Sequence, residues 1–92
     1  MVTSLDVAQA YVDLANMAHT RGELTAVDAA KAKWWSAQVQ QDVLDGCVQL
    51  HGGYGYMRDY RVARAWMDAR VTRIWAGSNE IMKELTGRDL GF

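Results

Sequence analysis

The chain contains no proline, and its glycines separate long stretches of helix-forming residues. Because proline is the residue that most strongly breaks a helix from within, nothing in this sequence forces an interior break. Most of the glycines therefore act as stops and turns, and the glycines stand at positions 22, 46, 52, 53, 55, 77, 87 and 91. Gly46 alone falls in the middle of a long periodic segment. This pattern predicts a few helices joined by glycine turns.

Apolar residues recur at helical spacing in four segments, and this periodicity predicts helices over Leu5–Thr20, Ala26–Leu50, Tyr60–Ile74 and Asn79–Arg88. Hydroxyl side chains near their starts are candidate N-caps, namely Thr3 or Ser4, Thr25 with Asp28, and Ser78. Gly22 is expected to end the first helix in the left-handed conformation. On the third helix, Arg64 and Asp68 are four residues apart and are expected to form a surface ion pair.

The predicted fold is therefore all-α, an antiparallel helical bundle of two long and two shorter helices in a single domain over residues 1–92. Two short helices cannot cover the apolar stripes of two long ones. We therefore expect a homo-oligomer or a partner chain to cover what remains.

The composition limits the class of protein. Hydrophobic residues make up 50% of the chain and charged residues 23%, which is typical of an ordered domain, and no apolar run is long enough to span a membrane. Cys47 is the single cysteine, so no internal disulfide is expected, and no secretory signal is expected either, because no basic segment followed by an apolar one stands at the start of these residues. A cytoplasmic protein is expected. No spacing of His, Cys, Asp and Glu predicts a metal site.

Five arginines fall within one short stretch, at positions 58, 61, 64, 70 and 73. Two interpretations remain open. The cluster is either a solvated helix face that pairs with nearby acids, or an anion site for a phosphate group or CoA. Nucleic acid is not expected as a partner, because the net charge of the chain is −1.

Two glycine-containing stretches carry the candidate chemistry. Residues 49–56 read Gln-Leu-His-Gly-Gly-Tyr-Gly-Tyr, and residues 74–81 read Ile-Trp-Ala-Gly-Ser-Asn-Glu-Ile. Each places glycine at the boundary of a helix, where main-chain N–H groups can face an anionic ligand without a Cβ in the way. Taken singly, each is also compatible with an ordinary helix end and a tight turn.

The order of these motifs resembles the C-terminal helical domain of the acyl-CoA dehydrogenases, and the ending Asn-Glu-Ile-Met-Lys-Glu resembles their long-chain-type branch. Between the two glycine stretches lie Ala-Arg-Ala-Trp and Asp-Ala-Arg-Val-Thr-Arg-Ile, which belong to the same signature. The resemblance is tight over residues 33–91 and looser over residues 1–32. Four linked motifs in order are far more specific than any one of them.

The resemblance implies the α,β-dehydrogenation of acyl-CoA thioesters with FAD as the cofactor, as in fatty-acid β-oxidation. A carboxylate removes the α proton, and the β hydrogen leaves as hydride to the flavin. The residues that would contact the FAD of a neighbouring subunit are Gln49, Leu50, His51, Gly52 and Gly53. The residues that would contact the FAD of their own subunit are Ser78, Asn79 and Glu80, and Gly77 would lie against the acyl thioester. Both stretches are expected to lie together at the rim of a flavin that other polypeptide holds.

One departure from the family pattern bears on catalysis. Ala76 stands where many members carry the glutamate base, so no catalytic residue is expected in this chain. In the long-chain and isovaleryl types the base lies on an earlier helix, which these 92 residues do not include. Neither do they include the N-terminal helical and middle β-domains of the family.

Three hypotheses follow. The chain is a piece of an acyl-CoA dehydrogenase that is inactive alone, or a non-catalytic helical interaction module or companion subunit that pairs with another chain, or a protein that binds flavin or CoA without redox turnover.

Overall fold

The computed structural model describes residues 1–91, and these residues form helices without any strand. The four α-helices are α1 (Val2–Thr20), α2 (Ala26–His51), α3 (Arg61–Ala69) and α4 (Asn79–Asp89). Two 3-10 helices, Gly52–Tyr56 and Arg70–Arg73, follow α2 and α3. The predicted all-α bundle of two long and two shorter helices is confirmed.

Helix α2 is the spine of the bundle, because α1, α3 and α4 all pack against it. The buried apolar residues are small, and they are Ala8, Ala30, Ala37, Val39, Ala63 and Ala69. Alanine lets helix backbones approach closely but removes little apolar surface from water per residue. No large side chain is fully buried among residues 1–91.

The predicted end of α1 and start of α2 are confirmed. Gly22 adopts a φ of +73°, the left-handed conformation that a non-glycine residue rarely takes. Its N–H donates to His19 O at 3.0 Å, and Glu23 N donates to Ala18 O at 2.8 Å, which together form a Schellman motif. Thr25 then caps α2 by accepting a hydrogen bond from Asp28 N at 3.1 Å.

The predicted cap of α1 is wrong. The helix begins at Val2 with Met1 as its cap residue and no side-chain cap bond, so Thr3 and Ser4 lie inside the first turn. Gly46 permits a close approach within α2, and the group that approaches is the side chain of Met1.

The predicted third helix is shorter than expected. It ends at Ala69 and continues as a 3-10 helix to Arg73, where the hydroxyl of Thr72 lies 2.7 Å from Ala69 O and engages a carbonyl of the last α-helical turn. The predicted Arg64–Asp68 pair is wrong as well. The ion pairs within residues 1–91 are Lys31–Asp28 and Arg88–Glu84.

A large part of the apolar surface stays open. A groove of about 620 Å³ runs between α1, α2 and the α3 region, and it is lined by apolar side chains such as Leu5, Val12 and Val43. The radius of gyration is 15.3 Å. A compact domain of this length would have about 12 Å. The bundle is therefore elongated, with sides that further polypeptide can cover.

Candidate functional site

The first glycine segment, residues 49–53, lies at the C-terminal end of α2. Gly52 caps the helix with a φ of +62°, and its N–H donates to Gln49 O. Leu50 is 78% exposed, and Gln49, His51 and Gly53 are exposed as well. His51 Nδ1 lies 2.7 Å from Cys47 O. A carbonyl only accepts, so this contact assigns the proton to Nδ1.

The three glycines around this helix end differ in whether the structure requires them. Gly52 is required by its positive φ. At Gly55 an added methyl group would collide with Val48 O and Cα, because the chain turns back over the last turn of α2. At Gly53 an added methyl group would meet no atom within 4 Å, and φ is not in the left-handed range. Nothing within residues 1–91 therefore requires glycine at position 53.

Aromatic residues lie beside the first glycine segment. The rings of Tyr54 and Tyr60 are 5.3 Å apart, and Tyr56 is 82% exposed. Trp66 Nε1 donates to Asp45 Oδ1 at 3.2 Å, which ties α3 to the same end of α2. This end of the molecule therefore presents an open, partly aromatic surface.

The second glycine segment, residues 76–80, connects the 3-10 helix after α3 to the start of α4. Ala76 has a φ of +54° and Gly77 a φ of +93°, so two consecutive residues are left-handed. A non-glycine residue pays a steric cost in this region. Lys33 Nζ spans the loop from α2, and it donates to Gly77 O at 2.5 Å and to Thr72 O at 3.1 Å.

The main-chain N–H groups of the second glycine segment lack regular hydrogen bonds. Within the described residues, none of the five N–H groups from Ala76 to Glu80 makes a hydrogen bond of regular geometry to a protein acceptor. The hydrogen bonds begin with Ile81 N, which donates to Ser78 Oγ at 3.3 Å, and with Met82 N, which donates to Ser78 O at 3.0 Å. A run of free N–H groups at a helix N-terminus suits an anionic group or a polar ring edge.

The side chains of this segment differ in what they can reach. Asn79 is 4% exposed, and its Nδ2 lies 3.4 Å from Trp34 O. Its Oδ1 is buried without a partner among residues 1–91. Glu80 is exposed on the first turn of α4, and Ala76 offers only a methyl group. Main-chain groups, more than side chains, are thus what this segment presents to a ligand.

The two glycine segments lie at opposite ends of α2. The second segment contacts α2 at Lys33 and Trp34, whereas the first begins where the helix ends at His51. Trp34 and His51 are 17 residues apart (51 − 34), which is about 26 Å at about 1.5 Å per residue. The expectation that the two stretches lie together is therefore wrong for one copy of the chain, in which they form two separate surfaces.

One interpretation of the arginine cluster predicted ion pairs with nearby acids, and the structure does not show these pairs within residues 1–91. Arg58, Arg61, Arg64 and Arg70 are exposed, and within the described residues none contacts a carboxylate. Arg73 is half-buried, and its Nη1 lies 3.4 Å from Gln38 Oε1.

Within residues 1–91, no three His, Cys, Asp or Glu side chains lie close enough together to hold a metal ion. No helix in this range is long and apolar enough to cross a membrane.

Lys33 is the site residue that sequence reasoning missed. The sequence signal was a lysine between two apolar residues, Ala32 and Trp34. The structure places all three residues on a half-buried face of α2. Its acceptors, Thr72 and Gly77, lie 39 and 44 residues further along the chain, so no local pattern connects them.

Residues 1–91 match the family described as "Acyl-CoA dehydrogenase, C-terminal domain". The long-chain specific acyl-CoA dehydrogenase of Sus scrofa, a mitochondrial protein, is 47% identical over 88 residues, which are 96% of this chain and 20% of that protein.

Solved structures agree with the sequence match. The acyl-CoA dehydrogenase of Geobacillus kaustophilus superposes on all of this chain with a TM-score of 0.96 and 37% identity. The butyryl-CoA dehydrogenase of Megasphaera elsdenii does so with a TM-score of 0.94 and 37% identity. The chain covers 24% of each of these structures, so it spans about a quarter of their length or less. Its sequence, its fold and the order of its motifs agree, and the chain belongs to the acyl-CoA dehydrogenase family as its C-terminal helical domain.

Proposed function

We propose that this chain supplies the flavin-facing, oligomer-forming helical domain of an acyl-CoA dehydrogenase and is inactive alone. The second glycine segment borders the FAD held by its own subunit, and Gly77 lies against the acyl thioester. The first glycine segment borders the FAD of a neighbouring subunit. Each flavin site is completed by polypeptide other than these 92 residues.

The run of free N–H groups from Ala76 to Glu80 is the observation that carries this proposal. Five adjacent donors without a regular hydrogen bond inside the chain form a cradle for an anionic or polar group. The distance of about 26 Å between the segments supports a division of each site between subunits. When bound, FAD supplies the hydride acceptor, and residues 49–53 and 76–80 only hold and orient it.

Gly53 supports the same proposal at the other end of α2. A glycine without a steric or conformational requirement inside its own chain is a position at which an outside group can approach the backbone. Gly87 meets the same two conditions, but it lies in α4, away from both glycine segments. It therefore serves as a matched control for Gly53.

An FAD titration tests the proposed function. The isolated chain is expected to bind FAD too weakly to measure at micromolar concentrations. Addition of a complementary polypeptide, such as the Geobacillus kaustophilus relative truncated before this domain, is expected to restore binding, measured by the visible absorbance of the bound flavin. Failure of every such combination to hold FAD would contradict the proposal.

Gly53→Ala is expected to weaken FAD binding in that complex about tenfold, because its methyl group would stand between the ligand and the main chain. The free energy of unfolding of the isolated chain should change by less than about 0.5 kcal/mol, since the methyl group meets nothing in the chain. Gly87→Ala should leave the FAD affinity unchanged, and it should raise the free energy of unfolding by up to about 1 kcal/mol because alanine favours a helix more than glycine does. Equal FAD affinity of the two variants would remove the first glycine segment from the flavin site.

The isolated chain is expected to associate into dimers or larger oligomers. Its core is built of small residues, and the apolar groove between α1, α2 and the α3 region lies open. Sedimentation velocity over a range of concentrations measures this directly. A monomer at all concentrations, with no increase in sedimentation coefficient, would show that the exposed surface does not drive self-association.

The same surface favours a second candidate, a companion subunit that binds another dehydrogenase chain without contributing to its flavin site. The two candidates differ in one measurement. A companion subunit would bind the complementary polypeptide equally well with Gly53→Ala, and the substitution would leave the FAD affinity of that polypeptide unchanged.

A cytoplasmic location remains a prediction from the single thiol.

A further inference from the structure

Lys33 connects the spine of the bundle to the loop that precedes α4. It is half-buried on α2, and its ammonium group donates to Gly77 O at 2.5 Å and to Thr72 O at 3.1 Å. Within the described residues it contacts no carboxylate. Its charge is therefore used to bind two carbonyl groups that lie at the two ends of one loop.

The loop needs such a constraint. Ala76 and Gly77 are left-handed in succession, and alanine in that region is strained unless surrounding contacts determine the conformation. Thr72 is in the last turn of the 3-10 helix, and Gly77 immediately precedes the cap residue of α4. By holding both carbonyls, Lys33 fixes the reversal between them.

The neighbouring residue completes the anchor. Trp34 O lies 3.4 Å from Asn79 Nδ2, so the start of α4 contacts α2 at two consecutive residues, Lys33 and Trp34. The direction of the free N–H groups of residues 76–80 is set by these contacts. Other lysines nearby do not share this role. Lys31 pairs with Asp28, and Lys83 lies over the ring of Trp34 at 4.9 Å.

We propose that Lys33 is the positioning residue of the second glycine segment: it holds Ala76 and Gly77 in the left-handed turn that aims the free N–H groups at the ligand. That these groups face a flavin rests on the proposed function. That Lys33 sets the turn does not depend on any ligand, so the two statements can fail separately.

The test compares Lys33→Met with Lys31→Met, which removes an exposed cation two residues away on the same helix. Hydrogen exchange is measured by NMR at Ile81 and Met82, whose N–H groups bond to Ser78. Because two bonds to a charged donor are lost, Lys33→Met should accelerate exchange at these sites by about tenfold or more relative to the rest of α4. Lys31→Met should change it by less than about twofold.

Rescue by a second substitution separates positioning from general support of the fold. Glycine at position 76 carries no cost in the left-handed region, so Ala76→Gly should return the exchange rates of Lys33→Met to within about threefold of the original chain. Acceleration spread evenly over all helices, without rescue, would overturn the proposal. So would unchanged signals of Gly77 and Ser78 in Lys33→Met.

A replacement variant and an FAD-binding measurement complete the experiment. If Lys33→Met does not fold, Lys33→Gln replaces it, because its amide still donates and a smaller acceleration with the same rescue is expected. In the complex with the complementary polypeptide, Lys33→Met should weaken FAD binding and Ala76→Gly should restore it. If the original chain binds no FAD in that complex, the proposed function fails, and hydrogen exchange still decides the role of Lys33.

Discussion

The purified chain is expected to be colourless and to reduce no electron acceptor with any acyl-CoA. The α proton of the substrate needs a base, and Ala76 at the position of the usual glutamate has none. Loss of a general base alone lowers a rate by about 10² to 10⁴. The hydride also needs a flavin held in place, and under the proposed function one copy supplies only one edge of each of two sites. We therefore expect no turnover above the uncatalysed background.

Bound flavin is measured by the visible absorption spectrum. Turnover is measured by a dye-reduction assay with short- and long-chain acyl-CoA, and a full-length relative is the positive control. Ala76→Glu is the informative variant. It should remain inactive in isolation, because a carboxylate without a positioned flavin has no hydride acceptor to serve. A yellow protein with turnover, from either the original chain or the variant, would contradict both the inactivity and the division of the site.

Gly55→Ala is expected to destabilise the chain by about 3 kcal/mol, the upper part of the range for overpacking. The added methyl group would overlap the carbonyl oxygen and Cα of Val48. These atoms belong to the backbone of α2, which cannot move aside as a flexible side chain can. The 3-10 helix that follows α2 would have to shift away, and the contact between α2 and α3 would loosen with it.

Urea unfolding followed by circular dichroism measures the loss in the free energy of unfolding. Gly53→Ala is the matched control, since it makes the same chemical change two residues away, where the methyl group meets nothing. Its expected cost is less than about 0.5 kcal/mol. If both variants lost the same stability, the glycines would act through the flexibility of the unfolded chain, and the close approach at Gly55 would not matter.

The helices were predictable because their signals are local. Thr25 caps α2 and Ser78 caps α4, as a hydroxyl before an apolar helical pattern indicates, and Gly22 ends α1 because glycine readily adopts a positive φ. The predictions were wrong at positions where contacts between distant parts of the chain determine the structure. A 3-10 turn ends α3, with the Thr72 hydroxyl bonded to Ala69 O. Arg64 and Asp68 have the right spacing for an ion pair and do not form one.

The candidate site was predictable only in part. The two glycine segments could be located from their residue types and order, because glycine and a capping residue at a helix end leave N–H groups free. Their separation could not be predicted, since it depends on where α4 returns to α2. Lys33 escaped notice for the same reason, as its two acceptors come from the loop between α3 and α4.

By itself, the sequence determined the number and order of the helices, most of their ends and the family to which the motifs belong, because periodicity, caps and turns act over a few residues. Only the tertiary structure decided that the two segments lie at opposite ends of α2, that no contact inside the chain requires glycine at position 53, and that Lys33 donates to two carbonyl groups of the loop before α4. These depend on packing between residues far apart in the chain, and no local pattern records such distances.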